Sequence, residues 1–497
     1  MFCRDPDQGH SALRIACLAA WCIESTSSRT PDQSSAPPKQ AGLKRRHRSA
    51  ELRIIVIVMV TGDDPVHVIG GGLAGSECAY QLAERGVPVV LYEMRPRRMT
   101  PAHKTGRLAE LVCSNSLRSD DPAHAAGLLK REMAALGSLV MAAAREAAVP
   151  AGGALAVDRE LFAERVTETL ASHPRVEIAR REVTELPDGD VVVATGPLTS
   201  EAMSQVLSGL LGDEYLYFYD AIAPIVDVET LDRAQLFAGS RYGKGDGDDY
   251  LNAPFDRAQY LAFHRALVEA EVVALRDFEK ELFFEGCLPI EELARRGVDT
   301  PRYGPMKPVG LSTPDGRRPY AVVQLRQENL ARSHYNLVGF QSRLAWGEQR
   351  RVLRMIPGFE KARFERLGQI HRNTFINAPI HLDKLYRLKT LPRVRLAGQL
   401  TGVEGYLESA ASGLMAALYL AIERRGDEPA VLPATTALGS LARHLTESDP
   451  GRFQPANVNY GLFESLTGRH RGREGRRRAL AERALGELRA WRERCLD

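Results

Sequence analysis

The 497-residue sequence predicts an α/β fold in two parts, a Rossmann-like domain built on a parallel sheet and an α+β domain inserted into it. Three observations carry this. "VHVIGGGLAGSECAYQLAERGVPVVLYEMRP", from Val66, reads as apolar strand, glycine turn, helix and second apolar strand, the opening unit of a dinucleotide-binding sheet. "DVVVATGP" (Asp190 to Pro197) and "VRLAGQLTGVEGYLESAASGLMAALYLA", from Val394, add two more apolar strands that run into glycine turns, the second followed by a helix. Between the two halves lies aromatic, strand-forming sequence such as "EYLYFYDAIAPIVDV" and a helical run from Asp256 to Glu281, which reads as an insertion.

In chain order, residues 1–62 come first. "SSRTPDQSSAPPKQAGLKRRHRSA" is rich in Ser, Pro and basic residues without periodicity, so this segment is expected to be disordered or to lie upstream of a true start at Met59. An export signal is disfavoured, because acidic residues precede "ALRIACLAAWCI" and no small-residue cleavage site follows it. Residues 63–200 form the first half of the dinucleotide-binding domain, 201–330 the insertion, 331–463 the second half and 464–497 a basic helical tail. In that tail Leu480, Leu488 and Trp491 share one face behind Arg476, Arg477 and Arg478, either a basic anchor for RNA or a solvated helix docked on the body.

Gly70, Gly72 and Gly75 make the GxGxxG spacing: the first allows the tight turn, the second lets a pyrophosphate approach the backbone, and the third lets helix and strand pack closely. Gly71, Leu73 and Ala74 complete the turn, and the helix that follows offers its free N–H groups to phosphate. Glu93 ends the second strand where a carboxylate can accept from ribose hydroxyls. These residues point to an ADP-containing cofactor. The later turns, with Gly196, Gly398 and Gly402, favour FAD, whose ring and ribityl chain need such backbone-rich loops. A plain NAD-dependent dehydrogenase with unrelated glycines is the alternative at this point.

Composition narrows the function further. With 44% hydrophobic and 26% charged residues the chain is globular, and 66 basic against 63 acidic residues leave a formal charge of +3, so any nucleic-acid contact must use local patches. The seven cysteines show no CxxC pair and no ladder of spacings, which argues against a zinc ribbon, a thioredoxin-type couple and a disulfide framework; no metal site is expected. Reduced thiols suit a cytoplasmic protein. The longest apolar candidate, "IIVIVMV" from Ile54, is far short of the roughly 20 residues that span a bilayer, so no membrane partner is expected. One thiol stands out: Cys113 lies in "ELVCSNSLR", among polar neighbours unlike those of a packing cysteine, whereas Cys78 on the first helix reads as a small core residue.

A family resemblance now enters. "GGGLAGSE", "LYEMRP", "TPAHKTGRLAELVCSNSLRS", "FYDAIAPIV", "SRYGKG", "FFEGCLPIEELARRG", "YGPMKPVGL", "YAVVQLRQEN", "YNLVGFQ", "RMIPGFEKARF", "HRNTFINAP", "AGQLTGVEGYLESAASG" and "NVNYGLF" together resemble the folate- and FAD-dependent tRNA (uracil-5-)-methyltransferases, TrmFO, over about residues 64–463. FAD proteins that modify wobble uridines share the glycine turn, but the thiol loops and "HRNTFINAP" favour the methyltransferase branch. The N-terminal segment, the arginine-rich tail and Ala253, where a cysteine is expected, depart from the pattern.

The resemblance implies methylation of the T-loop uridine of tRNA at C5, with 5,10-methylenetetrahydrofolate as carbon donor and NADH or NADPH reducing the FAD. It places Cys287 as the nucleophile that adds to C6 and Cys113 as the partner that handles the C5 proton or stabilises a flavin adduct. Arg118 or Lys104 could lower the pKa of a nearby thiol. His371, Arg372 and Asn373 in "HRNTFINAP" could stack on or hydrogen-bond a pterin or a base, and Arg241 and Lys244 in "SRYGKG" suit phosphate contact, with packing or a solvated turn as the alternatives. The rival functions are a flavin NAD(P)H oxidoreductase acting on a small molecule and a non-catalytic, flavin-stabilised tRNA-binding protein, and neither needs two thiols in such loops.

Overall fold

The computed structural model describes residues 64–212, 215–273, 288–468 and 472–497, without the side chains of 215–221 and 370–374. The segment 1–62 and Cys287 therefore lie outside the described residues.

Six described strands form the first sheet, in the order Arg387–Leu388, Leu391–Leu396, Val191–Val193, Val66–Ile69, Val89–Tyr92 and Val176–Ala179. Five run parallel, with Val66 opposite Val89, His67 opposite Val191 and Val394 also opposite Val191; Arg387–Leu388 closes the edge antiparallel. The apolar runs explain the arrangement, since a parallel strand is covered on both faces and Val191, Val192 and Val193 are all buried. Helices Leu73–Glu84 and Tyr406–Arg424 pack so closely that a Cβ at Gly413 would stand 2.1 Å from the Ala74 carbonyl oxygen.

The tail takes the docked form. Helix Gly472–Cys495 buries Leu480, Leu488 and Trp491 against the same core, and the Trp491 indole N–H donates to the Ala430 carbonyl at 2.7 Å.

The second sheet is antiparallel: Phe237–Ala238, Tyr250–Phe255, Ala321–Gln327, His334–Leu337, Ile225–Asp227 and Phe364–Arg366. It has its own core of Phe255, Tyr260, Phe263, Phe340 and Phe359. Its strands come from both sides of residue 330, so the sheet continues past the end expected for the insertion. The chain leaves the first sheet through Tyr215–Ala221 and returns through Ile370–Ile376, which pair with each other antiparallel. Helix Arg257–Glu269 opens on an Asp256/Gln259 capping box and stops well before Glu281. Hydrogen bonds from Val273 N–H to Arg343 and from Ala345 N–H to Glu271 draw residues 271–273 into an extended pairing instead. Among the described residues no helix is long and apolar enough to cross a membrane.

Candidate active site

The glycine turn is closed behind and open in front. A Cβ at Gly70 would lie 2.5 Å from the Ala194 carbonyl oxygen, one at Gly71 would lie 2.8 Å from Glu93 Oε2, and one at Gly75 would lie 1.8 Å from the Gly70 carbonyl oxygen. A Cβ at Gly72 would meet nothing within 4 Å. Gly72 is also the N-cap of helix Leu73–Glu84, which has no capping side chain and no acidic residue in its first turn, so its leading amides remain available to an anion.

In front of this turn runs a cleft lined by Ile69–Ala74, Tyr92–Arg95, Ala194–Ser200, Gly398, Gln399, Tyr406 and Ser409. Glu93 is buried on its wall and accepts from Gly71 N–H (3.1 Å), Arg95 N–H (2.9 Å) and the Arg95 guanidinium (2.9 Å). Burial pushes the Glu93 carboxyl up, but the hydrogen bonds and charge of Arg95 outweigh it and hold it below the usual range. An ionised acceptor therefore faces the place where a ribose would sit. Gly196 (φ +69°) and Gly398 (φ +80°) line the far part, Gly398 donating to Ser412 Oγ at 2.7 Å. Gly402 is not among the lining residues: its φ of +91° serves a turn packed on the Phe453 ring, 2.6 Å from where a Cβ would stand. Gly75 likewise works from behind. An amide-rich turn, an ionised carboxylate twenty-odd residues on, and a cleft that reaches a second glycine turn fit an extended dinucleotide such as FAD.

Cys113 stands at the rim of this cleft. Its neighbour Val112 lines the wall, and the Cys113 N–H donates to the Tyr406 hydroxyl at 2.7 Å. Its carbonyl accepts from Arg159 (2.8 Å) and Arg366 (2.9 Å), which also hold the Leu111 and Val112 carbonyls. Arg326 grips the next two residues, donating to Ser114 Oγ and Asn115 Oδ1, each at 2.7 Å. Asn115 in turn donates to the Val157 and Gln327 carbonyls.

Three guanidiniums from three separate elements thus surround the thiol loop, and each lies within electrostatic reach of the Cys113 sulfur. Burial and the charge of Arg159 lower Arg366 to about 10, which leaves it cationic at neutral pH. Arg159 is held in place by Glu328, with Nε 2.5 Å from Oε2. The cations expected from sequence are engaged elsewhere: Arg118 pairs with buried Glu408 and Lys104 with exposed Glu365 at 3.7 Å.

His371, Arg372 and Asn373 lie on strand Ile370–Ile376, opposite Asp220, Tyr219 and Phe218. Arg241 does not point free into solvent. It donates to Gln324 Oε1 (2.6 Å) and to the Lys307 carbonyl, fixing a turn in which Tyr242 adopts φ +60°. Lys244 is exposed on the same turn. Cys78 is fully buried, and burial pushes its thiol well up, as suits a packing residue. Tyr406, Arg159, Arg326 and Arg366 are the additions that sequence reasoning missed, although Tyr406 and Arg326 fall inside motifs it had quoted.

A profile of the family described as Glucose inhibited division protein A matches residues 65–428. The chain is 58% identical over 428 residues to the methylenetetrahydrofolate--tRNA-(uracil-5-)-methyltransferase TrmFO of Geobacter sulfurreducens, covering 86% of this chain and 98% of that protein. It is 55% identical over 421 residues to the protein of the same name from Enterococcus faecalis, covering 84% and 97%. Among solved structures, Aquifex aeolicus GidA superposes with a TM-score of 0.62 at 17% identity, covering 86% of this chain and 74% of that one, a likeness of fold. More than half of the aligned residues are identical in relatives covered over nearly their whole length, and the dinucleotide cleft carries a thiol at its rim: the chain belongs to the TrmFO family.

Proposed function

We propose that this chain methylates the T-loop uridine of tRNA at C5 in the cytoplasm, taking the carbon from 5,10-methylenetetrahydrofolate and the electrons from NADH or NADPH through FAD. The observation that carries this reading is the joining of thiol and cleft: Tyr406 lines the dinucleotide site and its hydroxyl holds the Cys113 backbone. Gly70–Ala74, Glu93, Gly196 and Gly398 would hold the FAD. When bound, it supplies the two-electron reduction that turns a methylene into a methyl.

The protein side chains have the remaining work. Uracil C5 is a weak nucleophile until a soft nucleophile adds to C6; a thiolate suits this, its new C–S bond displacing the ring π electrons towards C5 and O4. We assign that addition to Cys287. C5 then bonds to the one-carbon unit, and its proton must pass to a positioned base before the C–S bond breaks and the Cys287 thiolate leaves. Cys113 is assigned the C5 proton. Arg159, Arg326 and Arg366 favour negative charge on its sulfur, and the hydrogen bonds to its carbonyl and N–H fix where that sulfur can reach. A small-molecule oxidoreductase or a passive RNA-binding flavoprotein would gain nothing from this clamp.

The test is to incubate the purified enzyme with unmodified tRNA, methylenetetrahydrofolate and NADPH, then analyse nucleosides. 5-Methyluridine that depends on the folate supports the reading; none, or a yield unchanged when folate is omitted, overturns it.

A further inference from the structure

A second cavity lies behind the thiol loop, and the cleft chemistry does not use it. It is lined by Arg118, Ser119, His124, Val458–Gly461, Arg473, Arg476 and Arg477. The two cavities flank the first turn of one helix: Tyr406 and Ser409 face the dinucleotide cleft, while Glu408 pairs with Arg118 and accepts from Val458 N–H at 2.8 Å. Arg118 is five residues from Cys113, so the cavity mouth lies within roughly 18 Å of the thiol along the chain.

Its charge is one-sided. Glu408 neutralises Arg118, His124 sits 3.7 Å from Asp121, and Arg478 is tied to Glu474 at 2.6 Å. Lys130 lies behind the loop, donating to the Ser119 carbonyl at 2.6 Å. Arg473, Arg476 and Arg477 have no carboxylate partner among the described residues. Tyr460 lines the same cavity as Arg477, its hydroxyl donating to the Pro122 carbonyl at 3.1 Å. Three unpaired guanidiniums beside a tyrosine, in a cavity open to solvent, match the phosphodiester and base of a nucleic-acid strand rather than a small carboxylate, which one arginine would satisfy.

We propose that this cavity is a phosphodiester-binding subsite, in which Arg473, Arg476 and Arg477 hold the RNA backbone flanking the nucleotide presented to Cys113. The inference rests on the tRNA reading above. It gives the C-terminal helix two faces with separate tasks, Leu480, Leu488 and Trp491 docking it and the arginines meeting RNA.

The test uses the flavin-loaded full chain and unmodified tRNA, with binding measured between 50 and 300 mM salt. Arg476→Gln/Arg477→Gln should bind roughly 10- to 40-fold more weakly at about 0.1 M salt, with a log–log salt slope shallower by about 1.4–1.8, the loss of two phosphate contacts. KM for tRNA should rise more than kcat falls. Arg478→Gln, whose charge is already paired, should match wild type. Arg476 is exposed and Arg477 half-buried; if the double variant loses flavin, the exposed Arg473→Gln replaces it, with an expected slope change of about 0.7–0.9. An unchanged slope in the variants, or an equal loss in Arg478→Gln, overturns the subsite. Wild-type protein that makes no 5-methyluridine overturns the function itself, and the subsite with it.

Discussion

Gly75 and Gly72 lie three residues apart, and the structure predicts opposite consequences for adding a side chain at each. A Cβ at Gly75 would lie 1.8 Å from the Gly70 carbonyl oxygen and 3.4 Å from the Ala194 Cβ. Relief to about 3 Å requires helix Leu73–Glu84 to retreat by roughly 1.2 Å, and the obstacle is backbone, which cannot rotate away. The retreat is blocked from the other side, where Gly413 is pressed against Ala74. Gly75→Ala should therefore cost about 3 kcal/mol, the upper end of ordinary overpacking, and lose flavin as a consequence. Gly72 has φ −77° and ψ −168°, open to any residue, and nothing near its missing Cβ. Gly72→Val should cost under about 1 kcal/mol, the loss of a glycine N-cap, yet fill the space a pyrophosphate needs. Urea unfolding of the flavin-stripped proteins measures the first quantity, and flavin absorbance after reconstitution the second. Gly72→Val that still purifies fully yellow, or Gly75→Ala that unfolds at the wild-type midpoint, would refute the account of the turn.

The remaining predictions concern the thiols, their clamp and a buried acid. With 5-fluorouridine at the target, Cys113→Ala should abolish methylation yet still trap a covalent RNA adduct, while Cys287→Ala should trap none; the reverse pattern on denaturing gels would exchange their roles. Arg366→Gln removes charged hydrogen bonds to the Val112 and Cys113 carbonyls, so kcat should fall roughly 10- to 100-fold with flavin retained, and an unchanged kcat would show the clamp to be idle. Burial raises Glu132 from 4.5 to about 7 despite hydrogen bonds from Ala437 and Leu438 N–H. Its stabilisation is complete below pH 4.5 and lost as pH climbs through 7, at most about 3 kcal/mol; wild type should lose stability across that window relative to Glu132→Gln, and a wild type that gains would reverse the sign.

What could be read from the sequence was what short spacing encodes. The glycine turn, the apolar strands and the apolar face of the C-terminal helix each follow from a local pattern that burial then enforces. What escaped was decided by partners far along the chain. Helix Arg257–Glu269 ends early because Arg343 and Ala345 compete for its next backbone groups. The second sheet crosses residue 330 because His334–Leu337 pairs with both Ala321–Gln327 and Ile225–Asp227. Gly402 fell in a glycine-rich motif, but the residue there that touches cleft and thiol loop is Tyr406, four positions on. Arg118 and Lys104 were the cations the sequence suggested for Cys113, whereas the guanidiniums that hold its loop are Arg159, Arg326 and Arg366, brought there by a helix start and two strands of the other sheet.

That arrangement explains how a loop can hold a reactive group in register with a deep cleft. A loop of polar residues has little core of its own to fix it, and the strand Ser116–Ser119 that follows Cys113 pairs with Ala154–Val157 only through an irregular register. Arg118 even adopts φ +63°, a left-handed conformation costing an ordinary side chain about 1–2 kcal/mol. The cost is met by rigid neighbours. Helix Tyr406–Arg424 is almost wholly buried, and its first turn seizes the loop at two points, Tyr406 at the Cys113 N–H and Glu408 at the Arg118 guanidinium. One turn later Ser412 accepts from Gly398 N–H in the cleft wall. The thiol and the cofactor turn are thus measured from the same helix, so the distance between sulfur and cleft is set by the packed core and not by the loop that carries the cysteine.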